Sequence, residues 1–185
     1  VSGAIRIAMP AWVADEIGDA LHYADDASRV ALAIRLARRN VDERTGGPFG
    51  AAIFRDDGSL VAAGVNVVVP QACSAAHAEI VAFAAAQQHV GRARLNDDGR
   101  RYTLATSAQP CSMCYGACFW AGIDEVVIGA KASDVGELTE FYEGPLPDDW
   151  IGELEKRGVA VRRDVLRDEA REVFVHYARA YGPRY

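Results

Sequence analysis

YTLATSAQPCSMCYGACFWAGIDEVVIGA, residues 102–130, decides how this chain is read. Its first part, 102–107, is short, apolar and partly β-branched, which predicts a strand. Pro110 suits the entry to a helix, and a helix is expected over 111–121. EVVIGA at 125–130 predicts a further strand, so the segment is a β-α-β unit. Downstream, 148–156 reads as a capped helix, 159–165 as a strand and 167–181 as a final amphipathic helix. A helix between the fourth and fifth strands implies a right-handed crossover and parallel pairing there, because a tight turn would have made that pair antiparallel.

Upstream, DDASRVALAIRLARRNVDERTGG opens on capping aspartates at Asp25 and Asp26, carries Val30, Leu32, Ile34 and Leu36, and ends in basic residues before glycines. That pattern predicts an amphipathic helix. Segments 48–53 and 60–69 are apolar runs separated by Asp56, Asp57 and Gly58, which predicts a hairpin. Residues 77–90 are rich in Ala, Ile, Val and Phe and read as a helix with a buried face, opened by His77 and Glu79. The expected order is α-β-β-α-β-α-β-α-β-α. The expected fold is α/β, a mixed five-stranded sheet covered by helices with strands 4 and 5 parallel.

With 185 residues, half of them hydrophobic, the chain is long enough to bury a substantial core as one domain over 1–185. Within it, 1–24 reads as an N-terminal extension and 166–185 as a C-terminal helix and possible active-site lid. The N-terminus lacks the basic flank and apolar run of a secretory signal, and no stretch is apolar for long enough to span a bilayer, so a soluble, cytoplasmic protein is expected. A formal charge of −6 disfavours a polyanionic partner, since duplex and tRNA binding lean on clustered Lys and Arg. The composition points to a small-molecule substrate, with neither nucleic acid nor membrane as partner.

Four cysteines allow two disulfides, but Cys111 and Cys114 stand together beside a proline, as metal ligands do in a reducing compartment. Zinc takes tetrahedral N and S ligands, and a catalytic site keeps three of them from the protein so that water has the fourth position. His77, Cys111 and Cys114 supply three. At the start of a helix, both sulfurs face one point and the helix N-terminus favours thiolates. Glu79, two residues after His77, suits general acid and base work. A competing arrangement adds Cys73 as a fourth ligand and closes the site as a structural zinc. Cys118, four residues after Cys114, fits core packing better than ligation. His22, His89 and His176 lack partners at ligand spacing, and the paired aspartates sit at turns and helix starts, where they cap.

HAE at 77–79 with PCSMC at 110–114 is the zinc-deaminase signature, and by it the chain resembles the cytidine-deaminase-like superfamily. GGPFGAAIF, SAAHAE, TSAQPCSMCYGACFWAG and FYEGP look like its guanine deaminase branch over roughly the whole chain. NVVVPQACSAAHAE and GVAVRRDVLRDEAR are similar to bacterial members that also accept the triazine ammeline. The resemblance implies a three-layer α/β/α fold and one Zn2+ per subunit that activates a water. It further implies Glu79 as proton shuttle, and release of ammonia from guanine or a related aminopurine or aminotriazine. It assigns Glu143 in FYEGP to a second carboxyl role in proton transfer, and Asn66, Phe49, Trp120, Ala78 and Tyr185 to the substrate pocket. Relatives close that pocket with C-terminal residues, in some cases exchanged within a homodimer, which makes Tyr181 or Tyr185 a lid. The chain departs from the branch at Gln109, where many relatives carry an acid before the proline. Rival readings are a nucleoside deaminase acting on guanosine or cytidine, a tRNA adenosine deaminase, and a non-catalytic zinc-stabilised binding module.

Overall fold

The structure is a computed structural model that describes residue 3, residues 6–19 and residues 21–181. Its sheet has five strands in the order β2-β1-β3-β4-β5. These are β1 (Gly50–Arg55), β2 (Leu60–Val65), β3 (Tyr102–Ala108), β4 (Glu125–Ala130) and β5 (Ala160–Arg162). β1 is antiparallel to both β2 and β3, whereas β3, β4 and β5 run parallel. The expected hairpin and the parallel fourth and fifth strands are therefore present. β3 is buried along its whole length, as a central strand covered on both faces must be.

Alternation along the strands builds two cores. Ala51, Ile53, Leu104, Val126 and Ile128 point to one face and meet α3 (Ala78–Val90), α4 (Ser112–Ala121) and Leu154 of α6 (Trp150–Glu155). Ala52, Phe54, Ala63, Ala105 and Val127 point to the other face. There they meet Val30, Leu32 and Leu36 of α2 (Asp26–Asp42), together with Trp12 and Val13 of α1 (Trp12–Ile17). Two further helices, α5 (Ala132–Leu138) and α7 (Arg167–Tyr181), pack on the far end of that second layer through Val135, Ala170 and Phe174.

The helix over Trp12–Ile17 lies inside the stretch read as an extension, yet it contributes buried side chains. Trp12 donates from Nε1 to Thr45 Oγ1 at 3.1 Å, and the Arg39 guanidinium lies 5.1 Å from its ring. α5 is a second helix absent from the expected order. The strand expected over 159–165 is limited to Ala160–Arg162, because Asp164 takes a left-handed backbone with φ 64 that ends the pairing. The strand expected over 60–69 ends at Val65, where Asn66 turns and accepts from the Val68 N–H at 3.3 Å.

Two close approaches set where the functional elements lie. At Gly64 in β2, a Cβ would stand 2.5 Å from the Ala82 backbone nitrogen and closer still to the Ala78 carbonyl oxygen, so α3 rests directly on the strand. At Asp134, a 1% exposed carboxylate accepts from Lys131 N at 2.8 Å, from Arg167 Nε at 2.8 Å and Nη2 at 2.6 Å, and from Arg171. The first ties α3 to the sheet, and the second ties α5 to α7.

Gly64→Ala should therefore cost about 3 kcal/mol, read as a lower urea midpoint, because backbone rather than a flexible side chain must move. Asp134→Asn should cost about 3 kcal/mol at pH 7, since it removes the buried negative charge that two guanidiniums share and sets an amide N–H against one of their donors. The Arg167 guanidinium holds the Asp134 carboxyl well below the usual carboxylate range, with Lys131 N–H and Arg171 adding to it. The stabilisation is accordingly complete above the unfolded value of about 4 and is lost as pH falls through the folded value. Thermal melts of native and Asp134→Asn protein should converge as pH is taken below about 4.

Candidate active site

Pro110 ends the run out of β3, and Cys111 becomes the N-cap of α4 with an extended backbone. His77 is likewise the N-cap of α3. Two helix N-termini thus point at one spot beyond the carboxyl end of β3. There, the ligand atoms of His77, Cys111 and Cys114 all lie within 4.8 Å of one another. His77 Nδ1 is 3.5 Å from Cys111 Sγ and 3.7 Å from Cys114 Sγ. A tetrahedral zinc with bonds of about 2.3 Å to sulfur and about 2.05 Å to nitrogen requires N···S edges of about 3.6 Å. The three side chains fit zinc at the spacing the metal needs.

Cys111 is the ligand already disposed to be a thiolate, and zinc on entering would displace the remaining proton from Cys114. Without metal, the neighbouring Cys114 and then His77 pull the Cys111 thiol down to about 4, while Cys114 is shifted upward and keeps its proton. His77 is shifted upward, chiefly by its bond to Cys111. Cys73 is half-buried in the turn before α3 and is not part of the ligand cluster, so it does not close the site. Cys118 is fully buried among core residues and donates to the Cys114 carbonyl at 3.2 Å. It is a packing residue.

Glu79 stands on the first turn of α3 with 6% exposure, its Oε2 3.4 Å from Cys114 Sγ. Burial first, and then the Cys111 charge, push its carboxyl up to about 7. The same site opens into a cavity of about 350 Å³ lined by His77, Glu79 and Cys111 with Phe49, Asn66 and Gln109, and by the consecutive residues Glu140, Phe141, Tyr142 and Glu143. Glu143 is pushed up to about 8 by burial and then by the Glu79 charge. The loop that carries it is fastened to the metal helix where Ser112 N donates to the Glu143 carbonyl at 2.9 Å.

Phe49 is held against the rings of Phe141 and Phe174, with centroids 5.6 and 5.5 Å away. Asn66 is 2% exposed and seated by a buried network. Asn40 donates 2.8 Å bonds to the carbonyls of Gly47 and Asn66, while Thr45 Oγ1 donates to Asn40 Oδ1 at 2.7 Å. Gly46 backs onto the Asn66 carbonyl so tightly that a Cβ would overlap it. The glycines of GGPF are thus there to let the loop pass Asn66.

Of the residues expected in the site, His77, Glu79, Cys111, Glu143, Asn66 and Phe49 line one cavity, and Cys114 completes the ligand set. Trp120 does not line it. Six residues beyond Cys114, it lies off the metal-facing side of α4 and is 75% exposed. The Ala78 methyl is turned into the core beneath α3 and likewise stays out of the pocket wall. Tyr181 stacks on Tyr177, donates to the Val41 carbonyl at 2.8 Å, and lines a neighbouring cavity of about 310 Å³ that shares Asn66. Tyr185 falls outside the described residues. Sequence reasoning missed Asn40, Glu140, Phe141 and Tyr142, and saw in Gln109 only a change of charge. For the loop residues, adjacency to FYEGP was the available signal.

Among solved structures, the guanine deaminase from Nitrosomonas europaea is 40% identical, with a TM-score of 0.90 over 96% of this chain and 97% of that one. The guanine deaminase of Bacillus subtilis is 39% identical over 105 residues, 57% of this chain and 64% of the relative, so the match spans less than two thirds of that enzyme. A tRNA-specific adenosine deaminase from Buchnera aphidicola is 28% identical over 130 residues, 70% of this chain and 79% of that protein.

Metal analysis should find one zinc per chain, retained in Cys73→Ser and lost from Cys114→Ala. Loss of zinc in Cys73→Ser would restore the four-ligand arrangement. Residues 24–130 match the cytidine and deoxycytidylate deaminase zinc-binding region, and with the zinc-fitting His77, Cys111 and Cys114 inside that span, the chain belongs to this deaminase family.

Proposed function

We propose that the protein hydrolyses the exocyclic amine of guanine, or of a closely related aminopurine or aminotriazine such as ammeline, giving xanthine and ammonia from guanine and water. The observation that carries this reading is Glu79, a buried carboxyl set against the zinc ligands with its pKa pushed up to about 7. A base poised there takes a proton near neutral pH and gives it back. Zinc, when bound, supplies the Lewis acidity that makes water nucleophilic at neutral pH. Glu79 accepts the proton of that water and returns it to the departing amine. Glu143, pushed up to about 8, stays largely protonated at neutral pH and serves as a second carboxyl toward the ring. Phe49 flanks the ring, and Asn66 holds its edge.

The guanine deaminase relatives support the substrate class, and so does the composition of the wall. Among the described residues lining the cavity there is no Lys or Arg to receive a phosphate. That favours a free base over a nucleotide or a tRNA loop, in keeping with the chain's charge of −6. No described helix is long and apolar enough to cross a membrane. We read residues 1–185 as one deaminase domain in a cytoplasmic enzyme, a location that thiol ligands suit. We also read it as a homodimer, a state supported by the uncharged helix α4, whose Met113 and Trp120 are exposed.

Zinc-loaded protein should release ammonia from guanine faster than from guanosine, cytosine or adenosine, with ammeline as the test of triazine range. Glu79→Ala should keep its zinc and lose at least about a thousandfold in turnover. Zinc-loaded native protein that deaminates none of these bases would end this reading.

A further inference from the structure

Gln109 sits between the end of β3 and the first metal cysteine, is 9% exposed, and lines the cavity. Its side-chain oxygen accepts from the N–H of Ala132, the first residue of α5, at 3.4 Å. A backbone N–H is only a donor, so the oxygen must face it, and the orientation of the amide is settled. The Nε2 group then has no hydrogen-bond partner among the described residues. It is also not one of the sealed polar atoms that lack a partner, so it opens onto free space, and the space Gln109 borders is the cavity.

The wall around it is rich in carboxyl groups and, among the described residues, carries no fixed cation. Glu79, Glu140 and Glu143 bring carboxyl groups, and no Lys or Arg among the described residues lines the pocket. A heterocycle bound there finds acceptors for its amine and ring N–H groups. To that wall Gln109 adds an uncharged N–H donor beside the metal cysteines, suited to an exocyclic oxygen.

We propose that Gln109 is a specificity-determining residue whose Nε2 donates a hydrogen bond to the exocyclic oxygen of an amino-oxo heterocycle. The inference rests on the deaminase reading above and sharpens its substrate class. A ring that carries a second amine in place of that oxygen sets donor against donor and leaves both buried groups unpaired, which is how a polar site rejects a near-isostere.

Binding in the Glu79→Ala background, which holds substrate without turning it over, tests this directly. Zinc-loaded Glu79→Ala protein is titrated calorimetrically with guanine and with 2,6-diaminopurine, which has an amine where guanine has its oxygen. Guanine should bind at least about tenfold more tightly. Adding Gln109→Met should weaken guanine about tenfold, leave 2,6-diaminopurine within about twofold, and so remove the preference. Gln109→Glu keeps an oxygen for the Ala132 N–H but replaces the donor with an acceptor, and should invert the preference. Zinc content and thermal midpoint establish that each variant is folded. If Gln109→Met does not fold, the Gln109→Glu ratio decides alone.

A guanine to 2,6-diaminopurine affinity ratio unchanged in the folded variants overturns the role of Gln109. With native protein that still deaminates guanine, that result refutes this inference and leaves the proposed function standing. Native protein inactive on guanine and its analogues refutes the function itself.

Discussion

Everything in the site depends on bringing two helix N-termini, from segments more than thirty residues apart in the chain, onto one tetrahedral point. α4 reaches that point because it crosses between two parallel strands and must begin where β3 stops. α3 reaches it because β2 offers a glycine at the contact, which lets the helix backbone rest on the strand. Both helices then turn the positive ends of their dipoles toward the ligands. Thiolate character at Cys111 follows from the same arrangement that places the sulfur, so position and protonation are not independent properties here.

The raised carboxyls show how the remaining charge is arranged. Glu79 and Glu143 each lose water on entering the fold, Glu79 beside the Cys111 charge and Glu143 beside the Glu79 charge. In water both would be ionised throughout the neutral range. Burial moves them to about 7 and about 8, where a proton can be taken up and released without a large free-energy step. A neutral amide at Gln109 beside these groups adds no further negative charge to the cluster.

Much of this was legible in the sequence, and what was not has identifiable physical causes. β4 and α7 have the bounds their residues imply, because EVVIGA has no competing structure and RDEAREVFVHYARAY alternates at helical spacing. HAE and PCSMC give the ligands outright, since the chemistry sets their identity and their spacing together. α5 escaped notice because ASDVGEL is short, holds a glycine and is stabilised through Asp134 by arginines more than thirty residues away. Asn40 and Gln109 look like ordinary surface amides until their partners, Gly47, Asn66 and Ala132, are brought to them by the fold. Trp120, expected at the pocket, lies outside the lining of this chain's cavity. Likeness to a pattern carries a residue's position along the chain but not the side of the helix on which it falls.

The connection between Thr139 and Asp149 has no regular secondary structure, yet it supplies four consecutive residues of the cavity wall. It meets the metal-bearing helix at a backbone hydrogen bond from Ser112 to Glu143, a contact that most side-chain replacements in the loop would leave intact. Lengthening such a segment costs little, because loop closure entropy grows only slowly with length. The molecule therefore divides its inheritance. Helix starts carry the zinc-fitting ligands and Glu79, and a loop whose length can vary at little cost supplies a large part of the wall facing them. Changes in that loop away from Glu143 would reshape the wall while the helix-borne ligands and Glu79 stay in place.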